Sequence, residues 1–127
     1  MKKFKVLISI CAFLFVCILC TEVFAFPPSG STLYDGIDVS EWQGEIDWER
    51  VIDSGIRIAY IRASEGSNYI DPDAMRNYYG AKENGIKVGF YHYLTARNEA
   101  EALEQAEFYV SVVKGLDIDC RLAMDFE

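Results

Sequence analysis

Two carboxylates two residues apart, Asp125 and Glu127, close the segment Leu122-Ala123-Met124-Asp125-Phe126-Glu127. Small or acidic residues alternate there with large apolar ones. That is the period-two pattern of a strand, so both acids share one face. Paired carboxylates at a strand end can supply the general acid and the anionic partner that glycoside hydrolysis requires. Residues two apart on a strand have Cα atoms about 7 Å apart. Rotamers can bring such carboxyls to the roughly 5–5.5 Å of direct nucleophilic retention or hold them wider, so the spacing leaves the mechanism open. A cluster of acids also raises the pKa of at least one member, which proton donation at neutral pH requires.

The elements that would position this pair are legible from turn chemistry and periodicity. Tyr34 to Ser40 reads as a strand. Asp47 to Ser54 reads as a short helix, capped by Asp47 and stopped at Gly55. Arg57 to Ala63 is a second strand. A helix follows with Asp71 as cap and Pro72 in its first turn, ending before Gly85. Lys87 to Leu94 is a third strand. The longest helix opens at Asn98 with Glu101 three residues on, a capping-box pattern, and Leu103, Ala106, Val110 and Val113 form its apolar stripe. Arg121 to Glu127 is the fourth strand.

Strands alternating with helices predict an α/β protein with a parallel sheet. Two architectures compete, an open doubly wound sheet and a (β/α)8 barrel. Neither G-x-G-x-x-G nor G-x-x-x-x-G-K-[ST] occurs, which argues against nucleotide binding. The strand faces favour the barrel. One face of each strand carries bulky residues: Ile37 and Val39; Ile58 and Tyr60; Val88 and Phe90; Leu122, Met124 and Phe126. The other starts small, at Gly36, Ala59, Gly89 and Ala123, which suits a crowded barrel interior with helices on the bulky side. Followed toward the strand C-termini, the small faces arrive at Asp38, Glu65, Tyr91, Tyr93, Asp125 and Glu127. Catalysis gathers at that end of such sheets, and four carboxylates with two tyrosines suit a sugar site. The bland alternative for Asp38 and Glu65 is loop capping or pairing with Arg62.

The N-terminus reads differently. Lys2, Lys3 and Lys5 precede a fifteen-residue, mostly apolar run from Val6 to Cys20, and then Val23-Phe24-Ala25. This has the parts of a secretory signal, with cleavage after Ala25. The run is short of the roughly 20 residues of a membrane span; a retained anchor is the alternative. Residues 1–25 are therefore expected to be a signal peptide, 26–33 a linker, and 34–127 the catalytic region. The mature chain keeps nine of the twelve Lys and Arg and nineteen of the twenty Asp and Glu, a net charge of −10. Such acidity argues against nucleic acid as a partner. After signal cleavage no stable membrane association is expected. Three of the four cysteines lie in the signal, so Cys120 has no intrachain partner and is expected to be buried and inert, with an intermolecular bridge and then a catalytic thiol as the alternatives.

Other residues carry bland readings. Trp48, within the short helix, is expected in the core, whereas Trp42, in a loop after the first strand, could equally stack on a sugar. His92 falls on the bulky face and is expected to be a core histidine bonded to a neighbour.

The segments GIDVSEWQGEIDW, IRASEGSNYIDP, GAKENGIKVGFYHYL and LAMDFE, in this order, resemble glycoside hydrolase family 25. These are the lysozymes (N-acetylmuramidases) of bacteria and phages, and the resemblance covers roughly residues 34–127. It implies hydrolysis of the β-1,4 bond between N-acetylmuramic acid and N-acetylglucosamine in peptidoglycan, without a cofactor or metal. It implies that Glu127 is the proton donor and Asp125 its partner, acting as nucleophile or stabilising an intermediate formed by the substrate's acetamido group. Asp38 matches the first-strand acid, Glu65 the acid of an A-S/T-E-G motif, and Tyr91 and Tyr93 the aromatic third-strand segment. A secreted, extracellular or cell-wall setting follows from the signal and the resemblance.

Four strands and three helices are half of a (β/α)8 barrel, which typically takes 200 residues or more. The chain is therefore expected to be the truncated N-terminal half of the catalytic domain. Strands one and four would have open edges, and Met124 and Phe126 would lack a covering helix. Instability or self-association through these surfaces is expected, with little hydrolysis by the chain alone. Two other functional classes stay open: a non-catalytic wall-glycan-binding module, and an inactive product of a truncated gene.

Overall fold

The computed structural model describes residues 32–126. The expected signal peptide, most of the linker and Glu127 lie outside the described residues. Five strands are present: β1 (Gly36–Val39), β2 (Ile58–Glu65), β3 (Tyr69–Ile70), β4 (Lys87–Tyr93) and β5 (Ala123–Asp125). Three α-helices join them: α1 (Trp48–Asp53), α2 (Ala74–Glu83) and α3 (Glu99–Val113). A one-turn 3-10 helix, Glu41–Gln43, follows β1, so Trp42 sits on a helical turn and not in an irregular loop.

The sheet order is β1-β2-β4-β5, all parallel, with the two-residue β3 folded back antiparallel on the end of β2. Each new parallel strand is added on the same side as the last. A doubly wound sheet would reverse its order at a switch point; the order here is that of a barrel. Right-handed crossovers that all progress one way place every helix on one face. The expected barrel-type α/β architecture holds.

Two helices start where their capping residues predict. The Asp47 side chain accepts from Arg50 N at 3.1 Å and opens α1. Asn98 accepts from Glu101 N at 3.0 Å, and Glu101 in return accepts from the Asn98 side-chain amide at 2.7 Å. Such caps are worth about 1 kcal/mol each. The second helix starts later than expected. Ala74 is its first residue, and Asp73 stands at the cap without a side-chain capping bond, its carboxylate accepting instead from Arg76 at 2.7 Å. Asp71 is not the cap because its carboxylate is turned inward toward Arg62.

The sheet register corrects the expected face of β2. Ala59 lies beside Ile37 and Val88, and Tyr60 beside Asp38 and Gly89. Parallel neighbours in register share a face, so Ala59 and Ile61 face the helices while Ile58 and Tyr60 face the other way. Alternation within one strand gives two faces but not which is which; the neighbours decide. The helix side is the core: Val39, Ile61, Val88 and Phe90 pack against Trp48, Tyr78, Ala81, Tyr109 and Val113. Trp48 is buried as expected, and it packs so tightly on α2 that a Cβ on Gly80 would lie 2.3 Å from its indole.

The apolar stripe expected on α3 is also displaced. Leu103 and Val110 are 61% and 52% exposed, while Gln105, Tyr109 and Val113 are buried. The cause is His92, fully buried on the helix side of β4. Its ring needs polar partners: Ser64 Oγ lies 2.8 Å from Nδ1 and Gln105 Oε1 3.4 Å from Nε2. Tyr109 stacks on it at 5.4 Å between centroids. The helix is turned to serve this buried histidine, because an unpaired buried polar group would cost more than two exposed aliphatics.

Candidate active site

A β-bulge decides where Glu65 points. The pairing of β2 with β4 runs Arg62 to Tyr91 and then Ser64 to His92, skipping Ala63. The extra residue reverses the alternation beyond it. Ser64 therefore joins His92 on the helix side, and Glu65 joins Tyr93 on the opposite side. Strict alternation from the corrected face would have sent Glu65 into the core. The Ala63 carbonyl accepts from Asp71 N at 3.0 Å, tying the bulge to the loop before α2.

The face away from the helices carries an open cleft of about 650 Å³. Asp38, Tyr60, Tyr91 and Asp125 line it, with Tyr34 and Ile58 at its sides. Asp38 ends the free face of β1. Asp125 is the last residue of β5, set beside Tyr93, and its carbonyl accepts from Leu94 N at 2.9 Å. Burial pushes the Tyr91 phenol above its ordinary pKa; Arg62 opposes this, while Asp38 and then Asp125 add to it. The phenol stays protonated, on a strand that lies between those of the two acids.

Tyr60 is a cleft residue that the sequence reading missed. Its ring lies across β4 directly over Gly89, where a Cβ would come 2.5 Å from Cε1. Its hydroxyl donates to the Arg121 carbonyl at 3.1 Å, just before β5 begins. The side chain thus bridges β2 to the entry of the strand that carries Asp125. Gly89 leaves room for the ring, and a glycine beside a tyrosine on adjacent strands was the signal available.

Glu65 and Trp42 are not in that cleft. They border a second hollow with Glu41, Gly66, Asn68, Tyr69 and Thr95. The expected single cluster is therefore two neighbouring sites, one around Asp38, Tyr91 and Asp125, the other around Trp42 and Glu65. Tyr93 stands in register between Glu65 and Asp125. Behind the second hollow lies Arg62, 7% exposed, with each guanidinium nitrogen paired. Nε donates to Asp71 at 2.8 Å, Nη2 to Glu41 at 2.8 Å and Nη1 to Glu65 at 3.4 Å. The Asp71 side chain is fully buried and also accepts from Glu41 N at 3.0 Å and Asp73 N at 2.9 Å. The pairing of Glu65 with Arg62 is the bland alternative raised above; among the described residues Asp38 forms no such pair. Glu41 also accepts from the Tyr69 hydroxyl, which pushes that phenol up to about 12. A buried guanidinium demands carboxylates, and Arg62, a charge set between the apolar Ile61 and Ala63 of β2, was the sequence sign of this network.

Two residues are set apart from both sites. Burial holds His92 below its ordinary pKa, so it is a neutral core residue, as expected. Cys120 is only half-buried; burial chiefly, with Asp119, raises its thiol pKa, which keeps thiolate nucleophilicity low. Among the described residues, no group of three or more His, Cys, Asp or Glu is arranged to hold a metal ion.

This sheet order has counterparts among known proteins. Residues 37–127 match the model of glycosyl hydrolases family 25. The chain belongs to that family. It is 41% identical over 92 residues to the autolytic lysozyme of Clostridium acetobutylicum, a match covering 72% of this chain and 28% of that protein. Among solved structures, a family 25 glycosyl hydrolase from Bacillus anthracis superposes with a TM-score of 0.66 at 25% identity, over 84% of this chain and 48% of that one. The modular autolysin LytC from Streptococcus pneumoniae, solved with a synthetic peptidoglycan ligand, gives a TM-score of 0.66 at 28% identity, over 72% of this chain and 22% of that one. The chain thus spans less than half the length of each of these family relatives.

Proposed function

We propose that this family 25 chain carries a peptidoglycan hydrolase site that cleaves the β-1,4 bond between N-acetylmuramic acid and N-acetylglucosamine. The observation that carries the reading is the cleft in which Asp38, Tyr91 and Asp125 meet on the helix-free face. Glu127, outside the described residues, is assigned as the proton donor: its proton passes to the glycosidic oxygen as the bond from C1 breaks. Asp125 supplies the negative charge beside the oxocarbenium-like centre, as nucleophile or as partner to the substrate's acetamido group. Water then adds at C1 and returns a proton to Glu127. Asp38 is the third acid, and Tyr91 and Tyr93 are the aromatic walls, with Trp42 and Glu65 contacting substrate farther out. The names of the relatives, an autolytic lysozyme and an autolysin solved with a peptidoglycan ligand, support the substrate. They also support action at the cell wall, and secretion through the N-terminal segment belongs to the same proposal.

The test is incubation of the purified chain with insoluble peptidoglycan, followed by borohydride reduction and sugar analysis. Slow release of fragments with N-acetylmuramic acid at the reducing end is expected, abolished in Glu127→Gln and Asp125→Asn. Reducing ends on N-acetylglucosamine, or equal release by Glu127→Gln, would overturn the assignment. Pelleting of the chain with peptidoglycan in the absence of any release would make it a glycan-binding module instead.

A further inference from the structure

Asn77, within α2, is fully buried, yet neither its side-chain nitrogen nor its side-chain oxygen has a hydrogen-bond partner among the described residues. Buried amides are nearly always satisfied, because a donor or acceptor taken out of water must replace the bonds it loses. The packed helix and sheet supply none here. Instead Asn77 lines a hollow of about 320 Å³ between α2 and the segment that enters α1. An amide whose donor and acceptor are both open fits a ligand that returns an acceptor and a donor. A peptide bond offers that pair.

The walls of the hollow add a sign of charge. Glu45 and Glu83 line it, and both are exposed and form no salt bridge among the described residues. Arg76 is the cation of the same lining and is already engaged: Nη2 donates to Asp73 at 2.7 Å and to the Gly44 carbonyl at 2.9 Å. Two unpaired carboxylates therefore face the hollow beside a cation held by a third. Tyr79, 57% exposed, stands on the same wall, and the face of a phenol ring attracts an ammonium group. An anionic ligand meets net repulsion here, and a neutral one leaves the carboxylates unused. A ligand with a primary ammonium close to a peptide bond gains from the acids, the ring and the open amide together.

We infer that the hollow between α1 and α2 is a binding site for an amine-bearing peptide, in which Asn77 pairs with a peptide bond while Glu45 and Glu83 hold the ammonium of a diamino side chain. Resting on the hydrolase reading above, the peptide is the stem peptide of peptidoglycan, whose diamino acid carries such an amine. The hollow lies in the helix layer, whereas the Asp38–Asp125 cleft opens on the helix-free face. A stem held here therefore belongs to a different glycan strand from the one in the cleft. The site anchors the chain to the wall mesh and needs no bond cleavage.

The test is a titration of the whole chain with Nα-acetyl-L-lysyl-D-alanine amide, a stem fragment with one ammonium and no carboxylate, followed by two-dimensional NMR. Saturable shifts of the Asn77 side-chain amide and of the Trp48 indole N–H, both in the lining, are expected at millimolar peptide. The Trp42 indole, which borders the other hollow, should stay unmoved. Acetylation of the side-chain amine should weaken binding about threefold or more, and so should the double variant Glu45→Gln with Glu83→Gln. Asn77→Ala should weaken it about fivefold or more, the scale of one or two lost hydrogen bonds. That variant opens space at a buried position, so the double variant at exposed positions tests the site with the core untouched. The inference is overturned by no saturable shift at millimolar peptide, by equal binding of the acetylated peptide, or by undiminished binding in the double variant. An Asn77 amide signal that stays fixed while its neighbours move would also overturn it, since the amide would then be satisfied by internal water. A chain that binds the peptide but never releases reducing ends from peptidoglycan would refute the hydrolase reading and leave an amine-bearing-peptide site standing. Glu127-dependent hydrolysis without peptide binding would do the reverse.

Discussion

Replacing Gly89 by alanine tests the geometry of the cleft floor most directly. The added methyl would stand 2.5 Å from Tyr60 Cε1 and 2.8 Å from Cδ1 and Cζ. These are atoms of a rigid ring, fixed at one end by β2 and at the other by the 3.1 Å bond to the Arg121 carbonyl. The ring must swing aside. Loss of that hydrogen bond costs about 0.5–1.5 kcal/mol, and overpacking adds about 1–3 kcal/mol, so Gly89→Ala should destabilise the chain by about 2–4 kcal/mol. With Tyr60 already replaced by alanine the clash is gone. Alanine then replaces glycine in a strand at no cost, or with a gain of up to about 1 kcal/mol. The assay is urea unfolding of the parent, both single variants and the double variant, with stabilities from linear extrapolation. A coupling of about 2 kcal/mol or more is expected between two residues on neighbouring strands. Equal effects of Gly89→Ala in both backgrounds would refute the reasoning and return Tyr60 to the helix face.

Three further outcomes are expected. Arg62→Met leaves the fully buried Asp71 carboxylate with only backbone donors, and should cost about 3–5 kcal/mol in chemical denaturation; a loss below about 1 kcal/mol would mean the pair is wet. His92 titrates below its usual 6.5 because burial disfavours its charged form. Its contribution is therefore complete above about pH 6.5 and is lost as pH falls through the lowered folded pKa. Unfolding curves between pH 7.5 and 4.5 should show this slope flattened in His92→Asn, and an unchanged slope would assign it to other groups. Finally, β1 and β5 each have one unpaired edge among the described residues, and Leu122, Met124 and Phe126 are exposed. The chain should self-associate at micromolar concentration; a monodisperse monomer by light scattering would refute this.

The sequence by itself determined the order of the four parallel strands and three α-helices, two of the three helix starts and the barrel-type sheet, though not β3 or the 3-10 turn. These are local matters: a side-chain cap or a period of alternation acts within a few residues. It also marked Asp38, Tyr91 and Asp125, because each follows a glycine or alanine on its own strand by two residues. The face of β2 could not be read this way. Alternation is symmetric between faces, and only the register against Gly89 and Val88 chose one. The bulge at Ala63 then moved Glu65 to the sheet face that the sequence reading had expected for it, so that expectation held while the face assigned to Tyr60 did not. Asp71 read as a helix cap and became the anchor of Arg62, and α3 turned Leu103 outward to bring Gln105 to His92. In each case a buried polar group needed a partner distant in sequence. That demand arises only once the chain has closed around it, so the tertiary structure alone decided it.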